Sequence, residues 1–180
     1  MRTPTVNSST MQPTHADTAR TPACAVRDVT HGVGLFATRE IPAGSPILTI
    51  EGRAQAHATR FSIQIDAVTH IDAGAVLPDA EMRVRYPWRF LNHSCEPNAR
   101  VEGRSLRAIR AITTGEQITF DYTTTEADMS TPFECLCGTP SCIGLVRGFN
   151  HLPEAARRAR LERLAPHLRA LVAVRADGAV

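Results

Sequence analysis

At 180 residues, 43% of them apolar, the chain has the length of one domain and can bury an ordinary core without disulfide support. Its net charge of +2 makes no demand for nucleic acid or a membrane surface, so neither partner is implied. Its five cysteines, with no apolar leader in residues 1–22 and no run near the roughly 20 apolar residues of a membrane span, predict a soluble, cytoplasmic protein with reduced thiols.

Residues 1–22, rich in Thr, Ser and Pro, hold almost nothing that can be buried and read as a disordered tail. Cys24 to Val29 and Leu35 to Thr38 are predicted as two short strands around the loop Thr30-His31-Gly32-Val33-Gly34. A turn at Ile41-Pro42-Ala43-Gly44 and a strand from Pro46 to Glu51 follow. Phe61 to Asp66 alternates apolar and polar residues, as a half-buried strand does, and His70-Ile71-Asp72 is predicted to pair back onto it across Ala67-Val68-Thr69. After an irregular stretch to Pro87 come a polar segment from Arg89 to Asn98, a hairpin of Ala99 to Glu102 and Ser105 to Ala111, and a last strand from Gln117 to Tyr122. Many short strands separated by turns indicate a mostly β domain, not an alternating α/β one. Residues 123–134 carry Glu126, Asp128 and Glu134 and little that is apolar, so they read as a flexible acidic connector. From Pro153 to Val174, Leu161, Leu164, Leu168 and Leu171 recur at helical spacing, and Pro166 suits the first turn of a second helix. That stripe fits the edge of the domain core, with a homodimer face as the alternative.

Three segments carry the chemistry. Arg89-Phe90-Leu91-Asn92-His93-Ser94-Cys95-Glu96-Pro97-Asn98 brings amide, imidazole, hydroxyl and thiol groups together, and Pro97 rules out a regular helix beyond it. Taken alone it is equally a polar surface loop closed by a turn at Glu96-Pro97-Asn98. Cys135, Cys137 and Cys142 crowd three thiols into eight positions, one ligand short of the four that structural zinc takes. The fourth has to come from a distance, and Cys95 is the best candidate. Gly115-Glu116-Gln117-Ile118-Thr119-Phe120-Asp121-Tyr122 is a turn followed by a strand that ends in tyrosine.

In this order, and with Gly32-Val33-Gly34 ahead of them, these segments resemble the SET-domain protein lysine methyltransferases that carry a cysteine-rich post-SET motif. The resemblance runs from about Cys24 to about Phe149. It implies a fold of several short curved sheets with a knot-like C-terminal segment: a SET domain over 23–125, the connector and post-SET zinc motif over 126–150, and a helical extension over 151–180. It implies Zn2+ held by Cys95, Cys135, Cys137 and Cys142, which leaves Cys24 as a small buried residue. It also implies S-adenosylmethionine cradled by Gly32 and Gly34 with Arg89, Asn92, His93 and Tyr122, Leu145 packing on the adenine, and a lysine channel that includes Phe61 and Phe120. Val33 stands where the family often has an aromatic residue, and Phe61 where many relatives have a second tyrosine.

Methyl transfer from a sulfonium to an amine needs a neutral nucleophile, whereas a free lysine, with a pKa near 10.4, is mostly protonated. The site must therefore remove a proton and aim a lone pair. By the resemblance Tyr122 is the catalytic residue; Tyr86, the other tyrosine, lies in the irregular stretch. Phe120 stands where, by the same resemblance, the family sets the number of methyl groups added, and a phenylalanine there, without a hydroxyl to hold water, resembles enzymes that go on to di- or trimethylation. All twenty basic residues are arginine, a bias that a GC-rich genome also produces, so any lysine acceptor belongs to an external protein. The chain is expected in the nucleus if it is eukaryotic. Two alternatives keep the same residues: a zinc- and cofactor-binding module without activity, and a methyltransferase for a small amine, suggested by the short segment from His70 to Arg89.

Overall fold

The computed structural model of the chain describes residues 22–30 and 32–177. The tail read over residues 1–22 therefore lies outside the described residues except for Pro22, and so does His31 of the glycine loop.

The chain opens with an antiparallel ribbon of β1 (Cys24–Val29) and β2 (Gly32–Ala37), in which Cys24 faces Ala37 and Val29 faces Gly32. The second strand thus begins at Gly32, earlier than Leu35, and the glycine pair belongs to the ladder. Gly32, at φ +124°, adopts a backbone that side-chain-bearing residues avoid and so permits the reversal after Thr30. Next come β3 (Pro46–Thr49), β4 (Arg53–Gln55), β5 (Ile63–Gln64) and β6 (His70–Asp72). The order β4-β6-β5 includes the expected return of His70-Ile71-Asp72 onto the strand before it, with Gln64 facing His70, although the strand from Phe61 to Asp66 shrinks to two residues.

The stretch before Pro87, for which the sequence predicts no element, contains α1 (Asp79–Arg85). Its signal lies in the ends: Pro78 precedes it, Asp79 and Glu81 sit in the first turn, and Arg83 and Arg85 in the last, matching the helix dipole. A 3-10 turn over Pro87–Phe90 leads into β7 (Asn92–His93), then the hairpin β8 (Ala99–Glu102) and β9 (Ser105–Ala108), which joins β3 in a second sheet. The next strand, β10 (Gln117–Phe120), lies between β2 and β7, antiparallel to the first and parallel to the second. It is not the last strand, because β11 (Phe133–Glu134) and β12 (Leu145–Val146) form a small ladder beyond it.

Leu35, Ile71, Leu106 and Ile118, all fully buried, unite the sheets in one core, and Trp88 (1% exposed) donates its indole N–H to Glu51 O at 2.9 Å. The C-terminal part, with α2 (Glu154–Arg158) and α3 (Pro166–Asp177), closes a second cluster of Phe149, Leu152, Leu164 and Leu168. Of the four striped leucines, Leu164 and Leu168 turn inward while Leu161 and Leu171 remain about 40% exposed. Half of the stripe is spent on the fold, and the homodimer face is not supported.

The connector reading of residues 123–134 is corrected at its start. Thr123, Thr124, Thr125 and Glu126 are all buried, at 0–5% exposure. Their hydroxyls bond inward, Thr123 Oγ1 donating to Asp121 Oδ1 at 2.6 Å and Thr124 Oγ1 to Asp121 O at 2.6 Å, which satisfies polar groups without apolar side chains. The C-terminal segment covers them: Ala165 N donates to Thr124 O at 2.8 Å, His167 Nε2 approaches Thr125 O at 2.8 Å, and Phe149 N donates to Glu126 O at 2.8 Å.

Candidate functional site

The parallel pairing of β7 with β10 sets Asn92 beside Thr119 and His93 beside Phe120, so the two polar motifs, far apart in the chain, meet edge to edge. Asn98 secures the join. Buried at 2% exposure, it donates to Gln117 O at 2.8 Å and Glu116 Oε1 at 2.9 Å and accepts from Thr119 N at 2.9 Å. All of its main hydrogen-bonding capacity is used inside the fold, a role its place in a turn-like sequence does not reveal.

Beside this join lies a cavity of about 970 Å³, in the size range of cofactor sites. Gly32 and Val33 line one side, Arg89, Asn92 and His93 another, and Phe61, Phe120 and Tyr122 a third. Asn92 Nδ2 donates to Val33 O at 3.0 Å and ties the two motifs together. Gly34 is not on the cavity surface. A Cβ there would lie 2.3 Å from Gln117 Nε2 and 3.2 Å from Asn92 Nδ2, so its glycine makes room for the residues that are. A Cβ at Gly32 would meet nothing within 4 Å, which leaves open backbone facing the cavity for a ligand.

Arg89 stacks its guanidinium 3.8 Å from the centre of the Phe61 ring, and its Nε is buried without a hydrogen-bond partner. Leu145 stands apart: it is 48% exposed on β12 and not among the lining residues. Tyr86 is buried in the core against Trp88, which removes it as a rival to Tyr122.

Tyr122 sits at the meeting point. Its hydroxyl donates to Leu91 O at 2.5 Å, and its ring lies 4.7 Å from Phe120, 5.3 Å from His93 and 5.9 Å from Phe133, centre to centre. Burial, with the negative charge of Glu126 adding to it, pushes the phenol well above its ordinary range. Tyr122 therefore carries a neutral hydroxyl, a group that can orient a partner at the cavity wall. His93 is 2% exposed in its side chain; its Nδ1 accepts from Tyr122 N at 3.2 Å, which leaves the ring proton on Nε2, 3.3 Å from Cys95 Sγ. Burial holds its pKa below the usual value, so it serves as a neutral link between the tyrosine backbone and the thiols.

The four thiols meet. The Sγ atoms of Cys95, Cys135, Cys137 and Cys142 all lie within 4.8 Å of one another, and Cys95 and Cys135 are 3.9 Å apart. Four sulfurs at about 2.3 Å around a tetrahedral ion stand about 3.8 Å apart, so the group can hold a metal with little movement. Burial pushes the Cys95 thiol up to about 11, a cost that a cation among the sulfurs would offset. Cys24, by contrast, lies alone in the core. The segment carrying the distal cysteines folds over the cavity, with Cys135 and Cys137 in its lining and the Phe133 ring 5.8 Å from His93.

Sequence reading missed Phe133, Glu126 and Arg160. Arg160 (3% exposed) reaches from the C-terminal segment to pair its Nε with Asp121 Oδ2 at 2.7 Å, directly before Tyr122. No spacing in the chain links an arginine in a helical stretch to an aspartate 39 residues earlier. Phe133 stands next to the cysteine cluster and could have been found there.

Among the described residues no helix is long and apolar enough to cross a membrane. A family model described as the SET domain matches residues 32–123, just over half of the chain. A histone-lysine N-methyltransferase specific for H3 lysine-4 from Kluyveromyces lactis is 33% identical over 143 residues, which cover 69% of this chain and 14% of that protein. The methyltransferase flvH of Aspergillus flavus is 35% identical over 88 residues, 47% of this chain and 48% of that protein. The chain thus spans less than half the length of these curated relatives. The crystal structure of KRYPTONITE in complex with mCHG DNA and SAH aligns with a TM-score of 0.50 and 27% identity, over 66% of this chain and 27% of that one.

Proposed function

The chain belongs to the SET-domain family, and we propose that it is an S-adenosylmethionine-dependent protein lysine N-methyltransferase with a structural zinc ion on Cys95, Cys135, Cys137 and Cys142. One observation carries the reading most: the neutral hydroxyl of a half-buried Tyr122 at a cavity whose other walls include open glycine backbone and the Asn92-His93 pair. When bound, the cofactor supplies an electrophilic methyl group on a sulfonium. Gly32 and Val33 offer backbone to it, Asn92 holds that strand in place, and Arg89 contributes a cation stacked on Phe61. Phe120 and Phe61 line the approach for an acceptor side chain, and Tyr122 orients the amine lone pair. Four thiolates fill the coordination of zinc, so the ion does no chemistry. It pins residues 133–142 over the cavity.

The acceptor is a lysine on another protein or peptide, because the chain has none of its own. Similar proteins are named for histone lysines, and the same substrate class is proposed here at the level of a lysine-bearing protein. Phe120, at 3% exposure and without a hydroxyl, leaves no anchor for water beside the amine, and the product is proposed to be di- or trimethyl-lysine. The test is transfer of labelled methyl groups from S-adenosylmethionine to lysate proteins, with Tyr122→Phe as control and mass spectrometry of the product. The reading expects labelled protein, at least about 100-fold less with Tyr122→Phe, and higher methylation states. Cofactor binding without transfer would overturn it in favour of a binding module, and monomethyl product alone at saturation would overturn the assignment of Phe120.

A further inference from the structure

Transfer to a lysine requires the loss of one proton, and the structure narrows the group that takes it. Among the described residues, the titratable side chains lining the cavity are Arg60, Arg89, His93, Tyr122, Glu126, Glu134, Cys135 and Cys137. The arginines are cations, the cysteines belong to the thiol cluster, and Glu134 is exposed at the rim. His93 uses one ring nitrogen on Tyr122 N and directs the other to Cys95 Sγ, while the Tyr122 hydroxyl donates to Leu91 O. Glu126 remains. It is buried at 5% exposure, one turn beyond Tyr122, and its Oε1 accepts from Gln64 N at 2.7 Å and from Thr125 Oγ1 at 3.3 Å. Its Oε2 has His70 Nε2 at 3.7 Å, too far for a hydrogen bond, and so keeps lone pairs free.

We propose that Glu126 is the proton acceptor of this site: its free carboxylate oxygen receives the ammonium of the incoming lysine and takes one of its protons. The inference rests on the methyltransferase reading. The neutral amine then forms the N–C bond with the methyl group as the S–C bond breaks. The electron pair stays on sulfur, and the carboxylic acid returns its proton to water as product leaves.

The surroundings suit a group that must change charge. From β5 the Gln64 N–H, and from the turn the Thr125 hydroxyl, favour the carboxylate, while burial opposes it and prevails, placing Glu126 at about 7. From β6, His70 is kept neutral chiefly by burial, with His167 of α3 adding to the effect. Tyr122 faces it from its own turn and stays protonated. An arriving ammonium beside a sulfonium draws the carboxylate toward its ionised form, so the base is armed when both are in place.

Initial rates of methyl incorporation into lysate protein, from pH 6 to 10, test this with wild type, Glu126→Gln and Glu126→Asp, alongside calorimetric titration of the cofactor. Gln keeps the shape and an acceptor for Gln64 N. The proposal expects Glu126→Gln to lose about 100-fold at pH 7.5, with cofactor affinity unchanged within about twofold, and to recover as pH approaches 10, where lysine sheds its proton unaided. Glu126→Asp retains the lower pH limb at a reduced rate. Wild-type rate and profile in Glu126→Gln would overturn the proposal while leaving the methyltransferase reading intact. A silent wild type that binds cofactor would overturn both.

Discussion

The two long walls of the cavity are built on different physics. The wall of β2, β7 and β10 rests on Leu35, Ile118 and Leu91, all at most 4% exposed, and stands because apolar surface leaves water. The opposing segment, Phe133 to Val146, pairs two strands of two residues each and leaves Leu136 at 92% and Leu145 at 48% exposure. Apolar burial alone does not hold such a segment. Its order comes from Cys135, Cys137 and Cys142 meeting Cys95, which belongs to the first wall. On the proposed zinc reading, half of the site therefore folds on its own, and half folds only when sulfur has its ion.

The sharpest way to break this contrast is to strip the metal. Structural zinc contributes on the order of 10 kcal/mol to the elements it organises. A chelator should abolish amide-exchange protection over residues 133–146, and methyl transfer with it, while β1, β2 and β10 keep theirs. Loss of protection at the same rate in both walls would mean that they are one cooperative unit and that the contrast is false.

A different device braces the turn that carries Tyr122. The Arg160–Asp121 pair, both at most 3% exposed, joins the second apolar cluster to the residue before Tyr122. Arg160→Met leaves Asp121 buried without its partner and should cost about 3–5 kcal/mol. Denaturant melts should show that loss with the metal still bound, and the double variant Arg160→Met with Asp121→Asn should regain part of it. In the first wall, Leu35→Ala should cost about 2–5 kcal/mol through the cavity it leaves. Its effect on the melting midpoint should be the same with and without metal, because the side chain touches only the core.

These devices differ in how visible they are in the chain. The convergence of the four cysteines, and of the Asn92-His93 pair with Tyr122, was legible because few other arrangements use such residue types so close together. The strand content was legible from alternation and turns, and α3 from its leucines. The buried threonines of 123–125 were not, since a hydroxyl that bonds its own backbone in the core looks the same in sequence as one in water. Arg160 and Glu126 were hidden for a related reason. A charged residue is read as surface until its partner is known, and both partners lie far off in sequence, at Asp121 and Gln64.

The smallest expected effect separates function from stability at Glu126. Its carboxyl rises from an ordinary 4.5 to about 7 in the fold, so between those values the folded chain binds more protons than the unfolded one. Stability therefore falls as pH rises through this window, by up to about 3 kcal/mol in all, at roughly 1.4 kcal/mol for each pH step of one between the two values. Glu126→Gln removes that dependence. Its melting temperature should exceed that of the wild type by several degrees at pH 8 and match it near pH 4, where both side chains are neutral. A residue that weakens the fold at neutral pH, and whose loss slows methyl transfer there, is kept for its chemistry; equal pH dependence of melting in both proteins would show instead that the carboxyl is solvated and stores no such cost.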